Sequence, residues 1–425
     1  MRSPHEKETV YAVCMMLVSA VFVCGCSPED LSKRFGEKAK AAKYGYEAFF
    51  RANVIEKDAD QAGSGGGDYP CPEGEGFLQE TYEYYFSKLS EGEQRLYCEI
   101  KEILGRMGEN VLLTGLTAEE QDCDELVNKI FRCVLNDHPE LFYVEGFLVT
   151  KYTRGKKITA VEFSGDYAGT YENNLERVGQ IEAQASRVKQ QFEERKDRYE
   201  VVKGVYDWVI RSTEYVSGAP DNQNIYSVLV NHASVCQGYA KTMQYLLNHL
   251  QVPCTIVIGT ARGSTAAQDA PHAWNLVNID DQFYYLDATW GDASYAGQVN
   301  DSDCPDVRYE FLNMTTAEML IHHTPEEIVP LPNCSAKKAS YYFREGAYFF
   351  SCDEEQAKAL AKNCFSSGER ELSLKCENQK IYEELKEKLV DGKLLLETLG
   401  PGRHSMAYLE DPDYLTMTFW VTSDE

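Results

Sequence analysis

The sequence predicts an α+β protein. Its core is a helix bearing a cysteine packed on an antiparallel sheet, with a flanking N-terminal α/β region and a small C-terminal α+β domain. Three observations predict this. Apolar residues recur at helical spacing in some stretches and alternate at strand spacing in others. Cys236 stands at the start of an amphipathic run. Downstream, Asp280-Asp281 divides two apolar strands at hairpin spacing.

The first element is a leader. Ala12 to Gly25 is an apolar run, shorter than the roughly 20 residues that cross a bilayer. It suits the core of a signal peptide. It ends in Val23-Cys24-Gly25-Cys26-Ser27, which resembles a bacterial lipobox. The resemblance implies lipidation at Cys26 and a mature chain held at a membrane surface from outside. Residues 31–57 follow with seven basic against three acidic side chains, a balance drawn to anionic headgroups. The Gly/Ser-rich run 58–68 reads as a flexible linker.

The body opens with a capping box, Ser90 and Glu93, ahead of a helix whose apolar face is Leu96, Tyr97, Ile100, Ile103, Leu104 and Met107. A second helix carries Leu126, Val127, Ile130, Phe131 and Val134 and stops at Asn136-Asp137-His138-Pro139. His138 reads as a structural histidine. Strands over 141–152 and 158–163 flank a turn at 154–156 and form a hairpin. Residues 170–215 read as mostly helical. Beyond 340, strands are expected at Tyr341–Phe343, Ala347–Phe350, Glu371–Lys375 and Tyr414–Val421, and helices at Asp353–Asn363 and Asn378–Val390. The expected divisions are a leader over 1–26, a basic tether and linker over 27–76, an accessory region over 77–198, the core over 199–335 and an accessory domain over 336–425.

Composition narrows the function. The 425 residues are enough for about two to three domains. A formal net charge of −26 repels phosphate backbones and excludes a dedicated nucleic-acid binder. Besides Cys26 and Cys236, the mature chain keeps ten cysteines: 71, 98, 123, 133, 254, 304, 334, 352, 364 and 376. Their pairing does not follow from sequence. His322-His323 are adjacent, so they point apart on a strand, and no HExxH or CxxC pattern accompanies them. The sequence therefore assigns no metal and no cofactor.

The chemistry sits in the middle. Cys236 begins a helix running through Met243, Leu246, Leu247 and Leu250 and ended by Pro253. A helix start favours a thiolate. Acyl transfer also needs a base that can protonate the leaving group, which His272 can supply, and an acid to orient it, for which Asp287 is placed. If Asp280-Asp281 is a two-residue turn, Trp274 faces Asp287 and His272 faces Thr289. His272 and Asp287 then share one face as diagonal neighbours, with Cα atoms about 7–8 Å apart. An odd loop would destroy the pair.

Val235-Cys236-Gln237-Gly238-Tyr239-Ala240, His272-Ala273-Trp274-Asn275 and Tyr285-Leu286-Asp287-Ala288-Thr289-Trp290 together resemble the transglutaminase-like superfamily of papain-type cysteine enzymes. The resemblance covers about residues 200–323. It implies a papain/transglutaminase-like core with Cys236 as nucleophile, His272 as base and acid, and Asp287 orienting His272. Asn231-His232-Ala233-Ser234 stands where many relatives have Gly-Lys, which points to a different cleft shape. Gly238 is expected to allow close helix–sheet packing, and Trp274 and Trp290 to wall the cleft. The oxyanion hole should use the Cys236 N–H, with a second donor among Gln223, Asn224 and Tyr226. The activity expected is a peptidase or amidase working on a protein, peptide or cell-wall substrate through a thioester. The alternatives are a protein-glutamine transglutaminase or deamidase, or a non-catalytic surface module.

Overall fold

The computed structural model describes residues 9–12, 50–58, 81–116, 123–263, 268–293, 305–369, 371–392, 394–396 and 405–422. Cys26, Cys71, Cys304, the lipobox and the Gly-rich linker lie outside them. Among the described residues, no helix is long and apolar enough to cross a membrane. No two of the nine described cysteines form a disulfide with each other.

The N-terminal region is a four-stranded sheet backed by two helices. Strands Val144–Arg154 and Lys157–Tyr167 form its hairpin, with Val111–Leu112 on one edge and Arg51–Asp58 on the other. The expected tether thus contains an edge strand, held by parallel pairing with Val144–Arg154 while its own side chains stay exposed. The helix Glu91–Gly105 starts at the Ser90–Glu93 capping box. The helix Cys123–Asp137 lays Phe131 against Phe147 and Phe163, with ring centroids 4.6 and 6.4 Å away.

Two long helices, Tyr171–Phe192 and Arg198–Ser212, lead into the central layer. That layer is a four-stranded antiparallel sheet in the order Gln282–Leu286, Ala270–Ile279, Cys254–Ala261, His323–Pro325. The helix Cys236–His249 packs across it. Its end is set by Gln251 at φ +60°, ahead of Pro253. Asp280 and Asp281 both have positive φ, +51° and +63°, as a two-residue type I′ turn requires. Ile279 pairs with Gln282 and Asn275 with Leu286, the register that turn predicts. One continuous apolar core runs from Tyr84 to Ala339 and takes in Tyr414 of the C-terminal part, across the boundaries expected at 198/199 and 335/336.

The C-terminal part has its own core, including Leu374, Leu385, Met417 and Phe419. Its sheet runs in the order Thr9–Ala12, Ser405–Asp411, Thr416–Thr422, Glu371–Cys376, Tyr348–Phe349. Two features depart from the sequence expectation. Tyr341–Arg344, where three aromatics predict a strand, is one turn of helix. The N–H groups of Arg344 and Glu345 bond to Ser340 and Tyr341 carbonyls, and Gly346 at φ +65° ends the turn. The strand Ser405–Asp411 is an addition that the sequence pattern does not predict.

Candidate active site

Cys236 is the first residue of its helix and is fully buried. Asn275 on the neighbouring strand donates from Nδ2 to the Ala240 carbonyl at 2.8 Å, which ties helix to sheet one turn beyond the sulfur. On the other side, the Tyr239 hydroxyl lies 2.8 Å from Asp292 Oδ2 and 3.0 Å from the Thr213 carbonyl and shares its one proton between them. The helix start is therefore fixed from both sides.

His272 lies on the strand Ala270–Ile279 and is 1% exposed. Asp287, just past the end of the returning strand, caps the short helix Ala288–Gly291. Its Oδ1 accepts from the N–H groups of Thr289 and Trp290 at 2.9 and 3.1 Å. Its Oδ2 lies 2.7 Å from His272 Nε2. The His272 ring also hydrogen-bonds the Cys236 side chain. With Nε2 on the carboxylate, Nδ1 is the nitrogen left for the sulfur. Sulfur, imidazole and carboxylate thus stand in line.

The electrostatics follow from burial and pairing. Burial alone would lower the His272 pKa, but the Asp287 carboxylate and the Cys236 side chain outweigh it and raise it. Burial would raise the Asp287 pKa, but His272 and His323 outweigh it and hold it well below the usual carboxylate range.

Sequence reasoning missed the second imidazole. His323 Nε2 lies 2.9 Å from the same Asp287 Oδ2, and His323 is 1% exposed. The adjacent histidines do point apart: His322 pairs with Asp413 at 3.1 Å, in the turn of the C-terminal sheet. No sequence spacing announces the His323 contact. It arises because the short strand His323–Pro325 pairs with Gly259–Ala261 at the far edge of the sheet.

His272, Asp287 and His323 form a trio whose ligand-type atoms all lie within 4.8 Å of one another. Two ligands of one tetrahedral zinc ion stand about 3.3 Å apart, given bonds of about 2.0–2.1 Å. The nitrogen–oxygen separations of 2.7 and 2.9 Å are shorter and are spaced for shared protons.

The remaining expected site residues divide. Trp290 is half-buried, with ring centroids 5.9 Å from His272 and 4.8 Å from His323, and stands beside both. Trp274 is fully buried and packs under the histidines, 6.0 Å from His272 and 4.9 Å from His323, so it floors the site instead of walling it. Gly238 faces away from the sheet: a Cβ there would meet Ser234 Oγ at 1.9 Å and Ser227 Oγ at 2.9 Å. Its close approach is to those hydroxyls. Asn224 caps the helix Ile225–Leu229, accepting from Tyr226 N–H at 2.9 Å, while its Nδ2 donates to the Phe142 carbonyl at 3.3 Å. The Tyr226 hydroxyl donates to Gln180, and Arg177 covers its ring at 4.1 Å. These bonds engage Asn224 and Tyr226 within the fold.

A helix led by a thiol, packed on a hairpin that supplies an imidazole and a carboxylate, is the architecture of a papain/transglutaminase-like α+β core. Residues 186–288 match the family model of the transglutaminase-like superfamily. Among similar solved structures is a TGase at 14% identity, covering 34% of this chain and 50% of that one, with a TM-score of 0.24. A putative cysteine protease from Cytophaga hutchinsonii is 15% identical over 33% of this chain and 61% of that one, with a TM-score of 0.23. The periplasmic domain of TgpA from Pseudomonas aeruginosa, bound to ethylmercury, is 14% identical over 33% of this chain and 59% of that one, again at 0.23. The chain thus spans about half to three fifths of these chains. No curated protein matches it.

Proposed function

We propose that the chain is a cysteine enzyme of acyl transfer, a peptidase or amidase acting on a protein or peptide, cell-wall peptides included. The observation that carries this reading is the His272 ring bonded to Asp287 on one side and to Cys236 on the other. The Cys236 thiol gives its proton to His272 and attacks an amide carbonyl carbon. The carbonyl oxygen gains charge opposite the Cys236 backbone N–H, in the first helical turn where N–H groups have no intrahelical acceptor. Gln223 is the second donor in this reading. The imidazolium protonates the amine as the C–N bond breaks, leaving a thioester. Water then loses a proton to His272, attacks the thioester, and the carboxylic acid leaves as the thiol is restored.

In this reading the enzyme works outside the cytoplasmic membrane, anchored by a diacylglyceryl thioether on Cys26. Processing there removes Thr9–Ala12, an edge strand whose partner keeps its other neighbour, Thr416–Thr422. Incubating protein digests with the wild type and with Cys236→Ala, followed by mass spectrometry, tests the chemistry. Cleaved bonds with the wild type alone are expected. Isopeptide links or deamidated glutamines would replace hydrolysis of the backbone by transamidation or deamidation, and identical digests would end the enzymatic reading. Release from membranes by Cys26→Ser tests the anchor.

A further inference from the structure

We infer that His323 is a positioning residue of this site: its Nε2–H fills the second lone pair of Asp287 Oδ2 and sets how much of that carboxylate is left to hold His272. The inference rests on the Cys236–His272–Asp287 reading above.

The count of bonds on Asp287 carries it. Oδ1 accepts from two backbone N–H groups, at 2.9 and 3.1 Å, and Oδ2 faces two imidazole nitrogens, at 2.7 and 2.9 Å. A carboxylate has about four acceptor positions, so all are filled and water has none. An ionised oxygen only accepts, so both histidines carry their proton on Nε2. For His272 this is the tautomer that leaves Nδ1 as a base toward the sulfur. For His323 it leaves Nδ1 bare, and that atom is buried with no hydrogen-bond partner among the described residues. The ring's polar contact is thus the one to Asp287. Its flanks lie against Trp274 and Trp290, with centroids at 4.9 and 4.8 Å, and these hold it in place.

The charges around His323 decide its form. From the hairpin it faces Asp287 and His272, with Cys236 beyond. From its own chain it adjoins His322, which pairs with Asp413 of the C-terminal turn. Burial and the two neighbouring histidines outweigh Asp287 and keep the ring neutral. His323 therefore offers a dipole, not a second cation. A neutral donor on Oδ2 lowers the basicity of the carboxylate and weakens its grip on the His272 proton. It moderates the carboxylate's pull on His272 while locking the carboxylate's rotation.

The test is a nitrogen-15 NMR titration of the His272 ring in the full-length protein, in the wild type, His323→Phe and His323→Gln. A hydrogen bond to a charged group corresponds to a shift of about one pH unit, so His323→Phe should titrate about one unit higher at His272. His323→Gln keeps an N–H donor near the Nε2 position and should return most of the shift. Equal His272 titration in the wild type and His323→Phe overturns the inference, and so does an equal change in both variants, which would mark His323 as packing alone. If His323→Phe does not fold, the wild-type spectrum decides: a proton on Nε2 of His323 supports the inference and a proton on Nδ1 overturns it. The rate of Cys236 alkylation by iodoacetamide is read separately. A Cys236 no more reactive than the exposed Cys98 would sink the enzymatic reading, while the NMR result would still decide the role of His323.

Discussion

His138 in the N-terminal region and His272 in the central layer are built from nearly the same parts. Each is 1% exposed, each meets a carboxylate at 2.7 Å, and each has a raised pKa. The cysteine helix touches the His138 region too: Gln244 donates to the Asn136 carbonyl at 2.7 Å. The difference lies on the second ring nitrogen. His138 has Glu140 at Nδ1 and Glu83 at Nε2, 2.7 and 3.1 Å away. Both nitrogens face acids, so the ring is a clamped cation with no nitrogen left for chemistry. His272 has an acid on one side and a thiol on the other. A buried histidine with a carboxylate partner is thus no sign of catalysis; the occupant of its other nitrogen is.

The comparison breaks first on exchange of the two rings for glutamine. His272→Gln should lower turnover and the rate of Cys236 alkylation about a thousandfold, far beyond its effect on stability, because Asp287 keeps His323 and two backbone N–H groups. His138→Gln should do the reverse. Removing the cation leaves Glu83 and Glu140 facing each other without it, at a cost of about 3 kcal/mol in urea unfolding. Alkylation should stay near the wild-type rate. If His138→Gln lost alkylation while still folded, the two clusters would not be separate in function.

Their pH dependence sharpens the same contrast. Burial opposes the charge on His138, but Glu140 and Glu83 outweigh it and raise the pKa from 6.5 to about 9. The folded chain then holds a proton that the unfolded chain releases. The stabilisation is complete below pH 6.5 and is lost as pH rises through about 9. Unfolding midpoints measured across that window should fall with rising pH in the wild type and fall less steeply in His138→Gln.

How much of this is legible in the sequence depends on whether the determinant is local. The Cys236 helix start, the Asp280-Asp281 turn and the resulting His272–Asp287 face follow from short-range pattern, because strand period and turn length fix a register. The capping box at Ser90 is local in the same way. His323 is illegible because its partner lies 36 residues away, across two strands, and nothing in its neighbours encodes the pairing. Gly238 follows the cysteine so closely that it suggests a contact with the sheet. A helix turns about 100° per residue, however, so Gly238 lies about 200° around from Cys236. Tyr341–Phe343 misleads because aromatics favour strands only where a pleated surface receives them.

Gly238 gives the next prediction, on the sulfur's half of the comparison. Ser227 and Ser234 hydroxyls lie 2.6 Å apart, and Ser234 also donates to the Asn222 carbonyl at 2.8 Å. A methyl group at 238 would sit 1.9 Å from Ser234 Oγ and force these groups or the helix start to move. Gly238→Ala should cost about 2 kcal/mol of stability. Because the displaced segment adjoins Cys236, alkylation should slow as well, which His138→Gln should not cause. A variant as stable as the wild type would show that the segment yields freely.

Asn224 carries the smallest expected effect and joins the two regions. Its Oδ1 caps the helix Ile225–Leu229, and its Nδ2 reaches the Phe142 carbonyl, four residues beyond His138. Asn224→Ala should lose about 1 kcal/mol, the ordinary cost of an N-cap. Turnover on the peptides found by digest mapping should stay within about twofold. A donor in the oxyanion hole behaves differently, since its loss lowers turnover about a hundredfold or more. Turnover of Asn224→Ala therefore separates a cap from a catalytic donor, and a large loss would return Asn224 to the site in place of Gln223. The cap is the stronger expectation because backbone groups hold the amide at both ends, and turning either end toward a substrate would break a bond that the fold uses.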